Sequence, residues 1–169
     1  MSPRENAPLV EIGAGAYVLS PDGRLLLVEQ ERGGVRTWGC VGGGMEHGES
    51  IEACAVRETR EEAGLRVRIT KLLSIDEFWD GERLAVVGFL FLAEPEEWPQ
   101  QVILPGVDGE TLFHDHGWFG RDDLDGVDIP AMELCLSVWP ADVGTPLFRR
   151  FSFAELERVR SAPTARRGS

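Results

Sequence analysis

The sequence is short of positive charge, of cysteine and of long apolar runs, and each shortage removes a class of function. Seventeen Lys and Arg face 29 Asp and Glu, a formal net charge of −12. That balance lacks the basic footprint by which nucleic-acid polymers and anionic membranes are held, so neither is expected as a partner. It also means that an anionic substrate would need bound cations to enter. Cys40, Cys54 and Cys135 are odd in number and carry no CxxC spacing, which points to a reduced, cytoplasmic chain rather than to a disulfide framework or a zinc site. Cys54 reads as buried packing. No apolar run reaches the roughly 18 residues of a membrane span, and Met1 to Pro8 lacks the apolar core of a signal peptide, so the chain is expected to be soluble and not exported. Internal repeats are also missing.

What is present is enough for one core. With 169 residues, 43% of them hydrophobic, a single domain is expected over residues 9 to 160, with polar, flexible tails at 1 to 8 and 161 to 169. Leu9 to Leu19 reads as a strand whose small central residues, Gly13 to Ala16, suggest close approach of another backbone. Ser20-Pro21-Asp22-Gly23 is a turn, and Arg24 to Gln30 is expected to return as its hairpin partner. Glu31 to Arg36 is a charged loop with Gly33-Gly34 at its tip. Arg66 to Trp79 alternates like a strand, Asp80-Gly81 signals a hairpin, and Arg83 to Ala93 carries the apolar run of a central strand. Glu94 to Thr111 reads as a long loop with a role in substrate specificity. Leu112 to Gly120 is a further strand, Arg121 to Leu124 a turn or short helical start, Pro130 to Trp139 an apolar helix, and Ser152-Phe153-Ala154-Glu155 a capping box opening a last helix to about Arg160. Strands before and after one strongly marked helix, with a second helix near the end, imply an α/β (α+β) sandwich around a mixed sheet.

The most informative stretch is Gly42 to Leu65, reading GGGMEHGESIEACAVRETREEAGL. Ser50 suits a helix N-cap and Gly64 an αL end, with no proline between them. On that helix Glu58, Glu61 and Glu62 fall within an arc of about 100°, because residues three and four apart are surface neighbours. Like charges so placed repel by a few tenths of a kcal/mol per pair, and a hard divalent cation with oxygen ligands would offset the cost. A solvated helix face with Arg57 and Arg60 as internal partners is the plainer explanation of the same residues.

The order of residues favours the cation. Gly43, Glu49, Arg57-Glu58, Glu61-Glu62 and Gly64, at these separations, resemble the Nudix box of the Nudix hydrolases, a match that chance would supply on the order of once in 10⁸ start positions. Thr59 stands where the family usually has an aliphatic residue, which asks its hydroxyl to bond back to a helical carbonyl. Trp38 precedes the glycines as in the family, and Val41 occupies a place where proline is common.

The resemblance implies an α/β/α sandwich with a mixed central sheet. It implies that Glu58, Glu61, Glu62 and the carbonyl of Gly42 hold Mg²⁺ or Mn²⁺, with Glu49 and Arg57 as a supporting carboxylate–guanidinium pair and Gly64 ending the helix. It places Gly43 and Gly44 against the substrate, and it matches Asp115, before Trp118-Phe119, to a downstream acidic residue that often completes the metal site. The base is then one of the helix glutamates or Asp115. Phe78, Trp79, Phe113 and Trp118 are aromatic enough to stack on a nucleobase, Trp79 being the selected contact, although core packing is the commoner use of such residues. His114 and His116 flank Asp115, and lone histidines near a strand end more often face solvent or make hydrogen bonds than bind metal. The implied activity is metal-dependent cleavage of a pyrophosphate bond in a nucleoside diphosphate linked to another group, whether a nucleotide sugar, ADP-ribose, a (d)NTP or a dinucleotide. A homodimer is compatible with this reading. The alternatives are a non-catalytic Nudix-like domain that binds a nucleotide-derived metabolite, which would be expected to lose box carboxylates, and a structural or partner-binding domain, which gives no reason for the glutamate spacing.

Overall fold

The computed structural model describes residues 9–124, 127 and 139–154. Its helix, α1 (Ile51–Ala63), begins and ends where local chemistry dictates. The Ser50 side chain accepts the Ala53 N–H at 3.2 Å, and Gly64, at φ 70°, donates its own N–H to the Arg60 carbonyl at 2.9 Å. The Thr59 hydroxyl, fully buried, donates to the Ala55 carbonyl at 2.7 Å, so the one unusual residue of the helix is satisfied within it.

The strands are β1 (Glu11–Val18), β2 (Leu25–Arg32), β3 (Val35–Gly39), β4 (Val41–Gly44), β5 (Val67–Asp80), β6 (Arg83–Pro95), β7 (Val107–Asp108), β8 (Thr111–Phe119) and β9 (Leu147–Ser152). They form a five-stranded sheet in the order β4-β1-β6-β5-β9 and a four-stranded sheet in the order β3-β2-β8-β7. The first sheet is mixed, since β1 with β6 and β5 with β9 run parallel while its other pairs are antiparallel. Strand β6 is central in it, as its apolar run predicts.

The hairpin expected of β1 and β2 does not form. The turn between them is present, with Gly23 N–H on the Ser20 carbonyl at 2.9 Å, but only a Leu19–Leu25 bridge links the two strands before they part into different sheets. Both edges of β1 are taken, by β4 on one side and β6 on the other. Gly13 and Gly15 explain the β4 side: a Cβ on them would lie 2.9 Å from the Gly43 carbonyl and 2.7 Å from that of Val41, distances that real Cβ atoms do not adopt. Strand β2 pairs instead with β8 and, through a tight turn at Gly33-Gly34, with β3, so the expected charged loop is a hairpin.

Four consecutive residues of β2, Leu25 to Val28, are buried, because both of its faces are covered. Leu26 and Val28 pack with Ala16, Val18, Ala63 and Leu65 under the end of α1. Leu25 and Leu27 pack with Tyr17, Leu73 and Trp139 on the other side. The long segment after β6 is shorter as a loop than expected, since Val107-Asp108 pairs with Leu112-Thr111 across a turn at Gly109. It is tied to the helix end by the Ile103 N–H on the Ala63 carbonyl at 2.9 Å. Arg121–Leu124 forms a 3₁₀ turn as expected. Most of the expected Pro130 to Trp139 helix, the last helix beyond Ala154, Cys135 and both tails lie outside the described residues. No helix among the described residues is long and apolar enough to cross a membrane.

Candidate active site

Helix α1 lies on β1 and β4, so its inner face meets the glycine strand. Glu58 and Glu62 point inward there, 6% and 2% exposed, while Glu61, one residue off that line, remains 44% exposed at its side chain. The glycines make this contact: the Glu62 Oε2 accepts the Gly42 N–H at 2.8 Å, and a Cβ on Gly43 would fall 2.6 Å from the Glu58 carboxylate. The Gly42 contact given by the structure is thus its N–H, directed at a glutamate.

Arg57 is the hub of the site. Its Nε and Nη2 donate to the two oxygens of Glu49 at 3.1 and 2.8 Å, its Nη1 donates to Glu58 at 2.7 Å and to Glu61 at 2.9 Å, and its Nη2 also reaches the Gly44 carbonyl at 2.9 Å. Arg57 does pair along the helix, yet it serves the outer side of the carboxylates and leaves Glu62 without a guanidinium.

The titration of these groups follows from their surroundings. The hydrogen bonds from Arg57, aided by the Glu46 N–H, hold the Glu49 carboxyl down at about 2. Burial pushes Glu62 up to about 7, against the opposing pull of the Gly42 N–H, with Glu58 raising it further and the Arg32 charge lowering it. Burial also raises Glu58, despite its bonds to Arg57. The carboxylates hold Arg57 firmly charged. Burial raises the Cys54 thiol to about 11, and with no exposed surface it is the packing residue that the sequence suggests.

A third carboxylate joins the two buried glutamates. One oxygen each from Glu58, Glu62 and Asp108 lies within 4.8 Å of the others. Three hard oxygen donors at that separation, two of them buried and raised in pKa, form a set suited to Mg²⁺ or Mn²⁺. Asp108 is the residue that sequence reasoning missed, having placed it in a loop; the Asp108-Gly109 pair, a hairpin signal like Asp80-Gly81, was the clue.

Asp115 is not part of this convergence. It is exposed on β8, where its Oδ1 accepts the His116 N–H at 2.8 Å, next to a bulge at Glu29/Gln30 in the facing strand. His114 Nε2 contacts Glu31 at 2.8 Å. The four aromatic candidates already have protein partners. Phe113 is in the core, Trp118 meets Trp98 edge-on at 5.0 Å, Phe78 packs on Phe151, and Arg150 lies 4.3 Å over the Trp79 ring. Through the register Gly43–Ala14–Phe89–Ile75, Trp79 is three strand spacings from the glycine strand, about 14 Å before its further offset along β5 is added.

Comparison with known proteins gives the same grouping. The NUDIX domain profile matches residues 10–134. A NAD-capped RNA hydrolase, NudC, of Mycobacterium tuberculosis is 32% identical over 120 residues, which are 71% of this chain and 36% of that protein. The chain thus spans about a third of the length of that relative. An uncharacterised Nudix hydrolase of Bacillus subtilis, YvcI, is 30% identical over 100 residues, 58% of this chain and 62% of its own. Among solved structures, a NUDIX hydrolase from Nitrosomonas europaea has the same fold, with a TM-score of 0.67 at 18% identity over 87% of this chain and 81% of that one. A MutT NUDIX hydrolase from Burkholderia pseudomallei reaches a TM-score of 0.61 at 26% identity, covering 77% of this chain and 98% of its own. The glycine strand, the capped acidic helix and the Arg57 hub are thus set in a mixed α+β fold shared with these solved structures, and with the profile covering residues 10–134 the chain belongs to the Nudix hydrolase family.

Proposed function

We propose that the chain hydrolyses a pyrophosphate bond in a small nucleoside diphosphate derivative and depends on a divalent cation to do so. The observation that carries this reading is the convergence of Glu58, Glu62 and Asp108, whose oxygens lie within 4.8 Å of one another beside a glycine strand. Those three residues would hold Mg²⁺ or Mn²⁺, with Glu61 adjoining. When bound, such an ion supplies Lewis-acid polarisation of phosphoryl oxygens and neutralises their charge.

The chain's own residues do the rest. Arg57 fixes Glu58 and Glu61 by two bonds from one nitrogen, so both carboxylates have set positions from which to take a proton from an attacking water. Glu49 holds Arg57 by both oxygens, which keeps the guanidinium from swinging toward Glu62. The Cβ space at Gly43 is taken by the Glu58 carboxylate, whereas nothing lies within 4 Å of a Cβ at Gly44, and the substrate's phosphates enter along that open side of the glycine strand. With a net charge of −12, a compact anion screened by cations is a better-suited substrate than a polymer.

The test is a turnover screen of nucleotide sugars, ADP-ribose, dinucleoside polyphosphates, NAD, (d)NTPs and NAD-capped RNA, with phosphate products identified. Turnover with Mg²⁺ or Mn²⁺ that stops in excess EDTA is expected. Full turnover in EDTA would sink the cation mechanism, and binding of panel members without turnover would replace the hydrolase with a metabolite-binding domain.

A further inference from the structure

Arg32 is out of place in an otherwise neutralised set of arginines. Every other described arginine except Arg60 has a carboxylate within ion-pair distance. Arg60 points to solvent from the outer face of α1. Arg32, at the exposed end of β2, instead donates its Nε to the hydroxyl of Thr111 at 2.7 Å. Thr111 is buried and is the register partner of Asp108, the carboxylate that meets Glu58 and Glu62. A neutral hydroxyl thus anchors a cationic head beside three anionic groups, and its two terminal nitrogens have no partner among the described residues.

We infer that Arg32 is a substrate-positioning residue whose guanidinium takes the oxygens of a diphosphate group at the edge of the carboxylate cluster; this rests on the hydrolase reading above. A planar guanidinium matches phosphate oxygens with two parallel N–H bonds, and anchoring Nε removes much of the side chain's freedom before substrate arrives. A carboxylate anchor would neutralise the head, whereas Thr111 orients it and leaves its charge available. In a chain so acidic, a cation held at this point gives the phosphates a direct protein contact in addition to the ions they bring.

The experiment compares the full chain with Arg32→Gln by calorimetry, using inorganic pyrophosphate in saturating Mg²⁺ and, separately, Mg²⁺ alone. Pyrophosphate affinity is expected to fall about 10-fold or more, the effect of losing charge-assisted hydrogen bonds. Affinity for Mg²⁺ alone should hold or tighten, since a positive charge has left the cluster's edge. Arg32→Lys should recover only part of the loss, and Thr111→Val should weaken pyrophosphate binding with Arg32 intact. Equal pyrophosphate affinity in wild type and Arg32→Gln, a parallel loss of Mg²⁺ affinity, or a wild type that binds no pyrophosphate overturns the inference. With any panel compound that is turned over, KM should rise more than kcat falls. Absence of all turnover would remove the hydrolase reading while the calorimetric comparison still decides the role of Arg32.

Discussion

The two aspartates near the site show how far residue identity can be read without the fold. Asp115 has the right neighbours in sequence, Trp118 and Phe119, but its carboxylate is turned to its own strand's backbone; Asp108 has no such neighbours and reaches the glutamates. We expect Asp108→Asn to lower kcat by about 10² or more, through loss of several kcal/mol of electrostatic stabilisation. Asp115→Asn should change the rate by less than about threefold, as a surface change that leaves the cluster intact. The comparison is a steady-state assay of both variants on the same substrate, with circular dichroism to show that each is folded. The reverse order of effects would mean that Asp115 is the working residue. Glu58, Glu61, Glu62 and Arg57 were legible because helix periodicity fixes their mutual placement whatever the rest of the chain does. Asp108 was not, since its position depends on a β7–β8 hairpin and on that hairpin reaching α1 from some fifty residues downstream.

At the level of elements, the helix and its caps were legible because the instructions are local: one serine, one glycine and no proline between them. Strand pairing was legible only in part. The β5–β6 hairpin followed from its short turn, while the supposed β1–β2 hairpin lost to partners far along the chain that Gly13 and Gly15 admit. Glycines also set the distance between β4 and α1, which makes Gly43→Ala a sensitive probe of that contact. Its new methyl would stand where the Glu58 carboxylate is, and that carboxylate is tethered by Arg57 and cannot simply move aside. We expect a fall in kcat of roughly 10²-fold from displacement of Glu58, with a stability loss of only about 1 to 3 kcal/mol from overpacking. Assay and urea melts on the same preparation separate the two. A variant with wild-type rate would show that Glu58 need not occupy its place against the glycine strand.

Across the whole molecule, the buried carboxylates of the site are a stability deficit that a bound cation would offset. Glu62 has a folded-state pKa of about 7, above its unfolded value, so the folded form binds the extra proton between roughly pH 4.5 and 7. Its contribution to stability is complete below that window and lost as pH rises through it, on the order of 3 kcal/mol in total. Glu49, held down at about 2, acts in the opposite sense, and its contribution disappears as pH falls below about 4.5. Without divalent cation, Tm should therefore be highest near pH 5 and decline toward pH 8. Added Mg²⁺ should raise Tm more at pH 8 than at pH 5.5, because at the lower pH it must displace the Glu62 proton. Differential scanning measurements with and without Mg²⁺ at the two pH values check this, and equal Mg²⁺ shifts at both would dissociate Glu62 from the cation.

The distance along the chain between Glu62 and Asp108 also bears on time. A cluster joined across forty-six residues closes only when the β7–β8 hairpin has docked, and we expect its repulsion to be met late on the folding route, once most surface is buried. Mg²⁺ should consequently act as a latch, slowing escape from the native state while hardly changing the speed of arrival. In stopped-flow experiments the unfolding arm of the chevron would drop with Mg²⁺ and the refolding arm would stay where it is.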